Sequence, residues 1–184
     1  MKIRYPEIGV CGLSCRLCPA YTAGATRWCD GCKREKRMKV GCPFLTCSLK
    51  RQGVEFCWDC KERTDCNRWR KLRANGKKSD SFKCYQSLER DIAFVQQHGV
   101  AEFERAQKNR ERLLKEILRD FNEGRSKSYY CIAATVFSPE ELKGALAQAK
   151  KEARGLDIKA RSKVLHALLD SRAAKNHYVL KLRK

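Results

Sequence analysis

The stretch Cys11-Gly12-Leu13-Ser14-Cys15-Arg16-Leu17-Cys18-Pro19-Ala20-Tyr21 decides how the front of this chain folds. Cys15 and Cys18 form a C-x2-C knuckle, a spacing that lets two sulfurs converge on one ion at about 2.3 Å from each. Outward from it, Cys29-x2-Cys32 and Cys57-x2-Cys60 repeat the knuckle, Cys42-x4-Cys47 makes a wider pair, and Cys66 follows at the far end. Ten of the 12 cysteines thus fall between residues 11 and 66. So cysteine-rich a stretch buries too little apolar surface to fold alone and needs cross-links, either disulfides or metal.

The expected compartment separates those two. No apolar run follows the basic residues of the opening segment, so no secretory signal is expected. The longest mostly apolar run, Tyr129–Phe137, is about half of what spans a bilayer, and no membrane association is expected. A cytoplasmic location keeps thiols reduced, which favours metal over a disulfide framework or a redox-active C-x2-C. The chain has 184 residues and a formal charge of +20 at pH 7. The basic excess runs along its whole length and does not form a tail. Composition divides it at residue 84. We expect a small, irregular, metal-stabilised cysteine-rich module over 1–84 and a mainly α-helical region over 85–184, with few short strands.

The helical signals are local. Asp65 is a candidate cap for a basic helix over Asp65–Ala74, and Asn75-Gly76-Lys77-Lys78-Ser79-Asp80-Ser81 reads as a linker. Gln86–Gln97 reads as a helix stopped at His98-Gly99. Val100–Phe121 follows, with Phe103, Ala106, Leu113, Leu114, Ile117, Leu118 and Phe121 on one face. Ser138-Pro139-Glu140-Glu141 is a capping box with proline at N1, and that helix should end near Gly155. Asp157 caps a last helix with Ile158, Val164, Leu165, Leu168 and Leu169 inward. Tyr129–Phe137 suits helix or strand, helix being favoured. Tyr178–Leu182 alternates like a short strand.

The three histidines all lie in the second half, so metal sites in the first must be all-cysteine. The simplest partition groups Cys15, Cys18, Cys29 and Cys32 in one site and Cys42, Cys47, Cys57 and Cys60 in another, which suits two zinc ions. Cys11 and Cys66 are left over. Cys11-x3-Cys15-x2-Cys18 and Cys57-x2-Cys60-x5-Cys66 also have spacings that hold corners of a cluster, so one or two [4Fe-4S] clusters are the alternative, with a role in electron transfer or redox sensing. A radical enzyme would need a βα barrel after the first motif, and cysteine-rich loops follow instead.

The opening Cys11-Gly12-Leu13-Ser14-Cys15-Arg16-Leu17-Cys18-Pro19-Ala20-Tyr21, with Cys29-Asp30-Gly31-Cys32, Cys42/Cys47 and Cys57-x2-Cys60-x5-Cys66 in that order, resembles the prokaryotic cysteine-rich family called domain of unknown function 3795. The resemblance covers about residues 8–68. It implies a metal-binding module, by convention zinc, with no established activity. This chain departs from the family pattern at Thr64-Asp65, just before Cys66.

Beyond the cysteine clusters, Arg68, Trp69, Arg70, Lys71 and Arg73 form a basic stretch enclosing an aromatic residue. Phosphate contacts and base stacking would make it an RNA or DNA contact; the alternative is that Trp69 packs in the core while the charges offset anionic sulfur. Trp28 and Trp58 are expected to pack over the knuckles. Isolated Cys84 and Cys131 read as small buried residues, and His166 as a core or boundary residue. Gly124-Arg125-Ser126-Lys127-Ser128 could greet a phosphate at a helix start, or be a plain loop. No paired carboxylates, catalytic triad or dinucleotide fingerprint is present, which points away from an enzyme.

Overall fold

The computed structural model describes residues 2–22 and 29–184; Trp28 lies outside them. Its helices are α1 (Glu35–Val40), α2 (Pro43–Leu45), α3 (Asn67–Lys78), α4 (Leu88–Phe121), α5 (Lys127–Val136), α6 (Pro139–Glu152) and α7 (Ile158–Lys175). One wide π-turn segment, Thr46–Arg51, continues α2, and single 3-10 turns form at Cys15–Leu17 and Cys57–Asp59. The only β-pairing among the described residues is an isolated bridge between Ile8 and Ser14. The molecule is mostly helical, and no described helix is long and apolar enough to cross a membrane.

Local chemistry starts and stops these helices as expected in several places. Ser138 Oγ accepts the Glu141 amide at 3.1 Å while Glu141 returns a bond to the Ser138 amide at 2.7 Å, the reciprocal capping box. Asp157 accepts the Ala160 amide at 2.8 Å to open α7. Of the Tyr129–Phe137 run, all but the capping Phe137 falls on α5, so the helical reading of that run holds.

Gly99 does break the helical run, with φ at 81° and ψ at 164°. The break folds α4 back on itself. Arg90 and Arg110 would stand about 30 Å apart on a straight helix, yet both donate to the C-terminal carbonyls of α5: Arg90 to Thr135 and Val136, Arg110 to Ala134 and Phe137. Phe94 and Phe103, on opposite sides of the bend, have ring centroids 6.1 Å apart.

Two cores result, and each draws residues from both sides of position 84. One is built on Phe121, Tyr130, Phe137, Leu142, Leu165 and Leu169 from α4 to α7, and Leu17 of the first knuckle inserts into it. Burying one leucine side chain contributes roughly 2 kcal/mol, so the knuckle is anchored on the bundle. The other core packs Ile8, Leu13, Phe56, Trp58 and Trp69 against Leu88, Ile92, Val95 and Phe103 of α4. Phe56 and Trp58 stack with centroids 4.4 Å apart and planes 9° from parallel.

Four expectations need correction. The cap of α3 is Cys66, whose Sγ accepts the Trp69 amide at 3.5 Å, and not Asp65. The supposed linker is largely helical. α3 runs to Lys78 because Gly76 is packed against Tyr85 and Leu88, where a Cβ would sit 3.2 Å from Tyr85 Cβ. The C-terminal tail is not a strand: Gln86 takes both the amide and the carbonyl of Val179 with its side chain, at 3.1 and 2.7 Å, so no ladder forms. Ile158 is exposed at 40%, since it occupies the first turn of α7 beyond the reach of the core.

Candidate metal centre

The two knuckles that the fold describes as 3-10 turns are built alike. Cys18 N–H returns to Cys15 O at 3.0 Å, and Cys60 N–H to Cys57 O at 3.3 Å. Each turn thereby sets its two cysteines at the ends of one tight loop, as the C-x2-C spacing requires. The first knuckle is held from below by the Ile8–Ser14 bridge and by Gly12, whose φ of 94° makes the preceding turn. At Gly31, φ reaches 123°, which turns the Cys32 amide toward Cys15 Sγ, 3.2 Å away.

Around that contact, Cys15, Cys18, Cys29 and Cys32 line one cavity of about 10 Å³, room for a single atom-sized guest. They are the four residues that spacing alone grouped as the first site. Cys15 and Cys32 share a hydrogen bond. It holds the Cys32 thiol down at about 5, with burial opposing and Lys83, Arg37 and Lys33 assisting, and it drives the Cys15 thiol upward.

The remaining cysteines gather around Cys57. Burial pushes its thiol up, and Cys11, Cys66, Cys47 and Cys60 add to the shift, so all four stand within electrostatic reach. Cys11 and Cys66, left over by the spacing argument, therefore sit in the same neighbourhood as Cys47 and Cys60. Cys42 lies toward Cys11 and Cys32, on a second cavity of about 80 Å³ that it shares with them. Among the described residues, no group of three or more His, Cys, Asp or Glu side chains is drawn together closely enough to hold a metal ion. The donor set nonetheless fits a thiophilic metal. It is sulfur throughout, and backbone amides donate to the sulfurs of Cys15, Cys11 and Cys66, as suits thiolates.

Lys83 is the buried charge at this cluster that sequence reasoning missed. It is 6% exposed, and its ammonium donates to Ser14 O at 3.2 Å. Burial works against its charge, yet Cys32, Cys15, Cys18 and Cys11 outweigh burial and drive its pKa up. Lys33, also buried, is a different case. It has a carboxylate partner in Glu55 at 2.9 Å and lies over the Phe56 ring at 3.7 Å. Nothing in the run Ser81-Phe82-Lys83-Cys84 marks Lys83 in sequence except its apolar neighbours.

The basic stretch divides. Arg68, Arg70 and Lys71 are exposed on α3, with Arg68 donating to Pro43 O at 2.9 Å. Arg73 is paired with Glu89 through bonds of 2.8 and 2.6 Å. Trp69 is only 5% exposed and lies in the second core, so its ring has no free face for a base. Cys84 and Cys131 are buried, at 7% and 1%, and burial pushes the Cys131 thiol up to about 12. His166 stacks on Tyr129 at 3.9 Å and contacts Ser126 Oγ at 2.8 Å.

Residues 7–71 match the family model described as "Protein of unknown function (DUF3795)". The matched DUF3795 segment takes in all ten clustered cysteines and ends inside α3; Lys83 and α4 to α7 lie beyond it. No curated protein matches the chain, and no solved structure matches it.

Proposed function

We propose that the DUF3795 segment is a cytoplasmic metal-binding module whose all-cysteine sites hold two structural zinc ions. Cys15, Cys18, Cys29 and Cys32 form one site. Cys57, Cys60 and Cys47 form the core of the other, completed from Cys11, Cys42 and Cys66. Lys83 carries this reading. Among the described residues its ammonium has no carboxylate partner; such a buried charge is costly, and neutral thiols cannot offset it. Thiolates can, and bound metal is what keeps clustered cysteines ionised at neutral pH. A four-thiolate zinc site carries a net −2, so Lys83 and the nearby Arg37 act as its counter-charges. The metal then stabilises the loop-rich front of the chain, where few apolar residues are available.

The test is elemental analysis of protein purified without oxygen. The expected result is a colourless protein with about two zinc ions per chain. Material free of metal that stays folded with all its thiols open to alkylation overturns the reading. One observation favours iron–sulfur clusters as a second reading: five cysteines, Cys11, Cys47, Cys57, Cys60 and Cys66, gather at the second site, one more than a tetrahedral zinc ion needs. A brown protein containing iron and sulfide would select it. We further infer that the exposed Arg68, Arg70 and Lys71 meet the phosphates of RNA or DNA, without stacking by Trp69.

A further inference from the structure

A cavity of about 500 Å³ lies between the first knuckle, α4 and α5, within the size range of small-molecule sites. Its walls are apolar, formed by Leu13, Leu17, Cys131 and Ile132. Its floor is polar and unsatisfied. Among the described residues Ser14 Oγ is buried without a hydrogen-bond partner, and the Gln107 side chain, on the cavity wall in a residue 3% exposed, makes no hydrogen bond. Asp91 spends one carboxylate oxygen on Ser87 Oγ at 2.8 Å, and its other oxygen has no partner among the described residues. A buried hydroxyl is almost always paired, so Ser14 Oγ calls for a partner, and the free hydrogen-bonding atoms of Gln107 and Asp91 that open onto the same cavity give a ligand two more points of attachment.

The mouth differs. Phe82 is 56% exposed there, with the Arg37 guanidinium 5.0 Å above its ring. Lys127 and Ser128, the first residues of α5, complete the opening. A helix N-terminus with adjacent cations attracts phosphate. The Gly124–Ser128 run that hinted at phosphate in the sequence thus ends at this mouth.

We propose that this cavity binds a purine mononucleotide, its ring between Leu17 and Ile132, its edge on Gln107 and Asp91, and its phosphate at Lys127 and Arg37. A glutamine amide presents a donor and an acceptor in one plane, matching a purine edge, and a carboxylate accepts from ring or exocyclic N–H groups. The proposal goes beyond the metal reading and does not rest on it.

The test is calorimetric titration of the full chain with AMP, GMP, UMP, adenosine, guanosine and inorganic phosphate, with metal content measured on every sample. Saturable binding of AMP or GMP is expected, with UMP at least about tenfold weaker. Gln107→Leu should weaken that binding by about tenfold or more while leaving the free protein about as stable, because the amide makes no hydrogen bond among the described residues. Lys127→Ala should lower nucleotide affinity toward that of the matching nucleoside, and Ile132→Trp, which fills the cavity, should abolish binding. Metal-replete protein that binds neither purine nucleotide up to about 1 mM overturns this proposal and leaves the metal reading intact. So does phosphate competing as strongly as AMP, or binding unchanged in Gln107→Leu and Ile132→Trp. Metal-free protein that still binds AMP or GMP supports it while sinking the metal reading.

Discussion

Replacing Lys83 with methionine gives a result whose sign depends on the charge of the sulfurs around it. Methionine keeps the length and most of the apolar stem of lysine and loses the ammonium. If Cys32, Cys15, Cys18 and Cys11 are neutral thiols, Lys83 is an uncompensated buried charge, and Lys83→Met should stabilise the protein. If the sulfurs are metal-bound thiolates, the substitution strips a buried anionic site of its counter-charge and leaves Ser14 O without its donor. Removing one partner of a buried ionic pair costs roughly 3–5 kcal/mol. In a chain of this size each kcal/mol moves the melting temperature by about 2–4 °C, so a drop of about 6 °C or more is expected. The assay is a thermal melt by circular dichroism on metal-replete protein, repeated after chelation. The deficit should shrink once metal is removed, because the thiols are then free to protonate. A metal-replete Lys83→Met protein that melts at or above the parent refutes the thiolate argument.

Other outcomes follow from the same structure. Burial raises the Asp91 carboxyl to about 6, from an ordinary value of 3.8. A raised carboxylate pKa means that the folded state holds the proton longer, so Asp91 supports stability below about pH 4 and loses that support as pH rises through 6. Asp91→Asn should therefore be more stable than the parent at pH 7.5 by up to about 3 kcal/mol, with the difference vanishing near pH 4 in paired denaturant melts. Arg110→Leu frees the carbonyls of Ala134 and Phe137 inside the protein, and two unsatisfied buried acceptors should cost about 2–4 kcal/mol in urea unfolding. Ser138→Ala removes one half of the capping box and should cost about 1 kcal/mol, measured the same way. Changing Arg68, Arg70 and Lys71 together to glutamine should reduce the salt dependence of any RNA or DNA binding by about three units of slope; an unchanged slope removes α3 as the contact.

The features legible in the sequence were those fixed by neighbouring residues. Ser138, Pro139 and Glu141 lie within one turn, so the start of α6 needs nothing from the rest of the chain. Gly99 and Asp157 are similar, because a left-handed stop and a side-chain cap are decided within three residues. The gathering of Cys15, Cys18, Cys29 and Cys32 on one small cavity was readable too, since they arrive as two knuckles of fixed span.

Contacts between distant segments were not legible. The Asn75–Ser81 run has a linker's composition, but Gly76 is there to let Tyr85 and Leu88 approach α3. Tyr178–Leu182 has a strand's alternation, but its backbone bonds are claimed by Gln86, more than 90 residues earlier. Trp69 looked like a stacking platform in a basic run, and helical phase turned it into the core while Arg68, Arg70 and Lys71 stayed outside.

By itself, then, the sequence determined where the front of this chain pairs its cysteines and where the rest forms amphipathic helices, since spacing and periodicity are properties of short segments. Only the tertiary structure decided that Leu17 anchors the first knuckle in the bundle, that Lys83 faces four cysteines, and that Ser14, Asp91 and Gln107 share one cavity floor. Each of these depends on the reversal at Gly99 and the packing of α4 against both cores. The electrostatics of a buried lysine depend on which groups surround it, and folding assembles that set from distant parts of the chain.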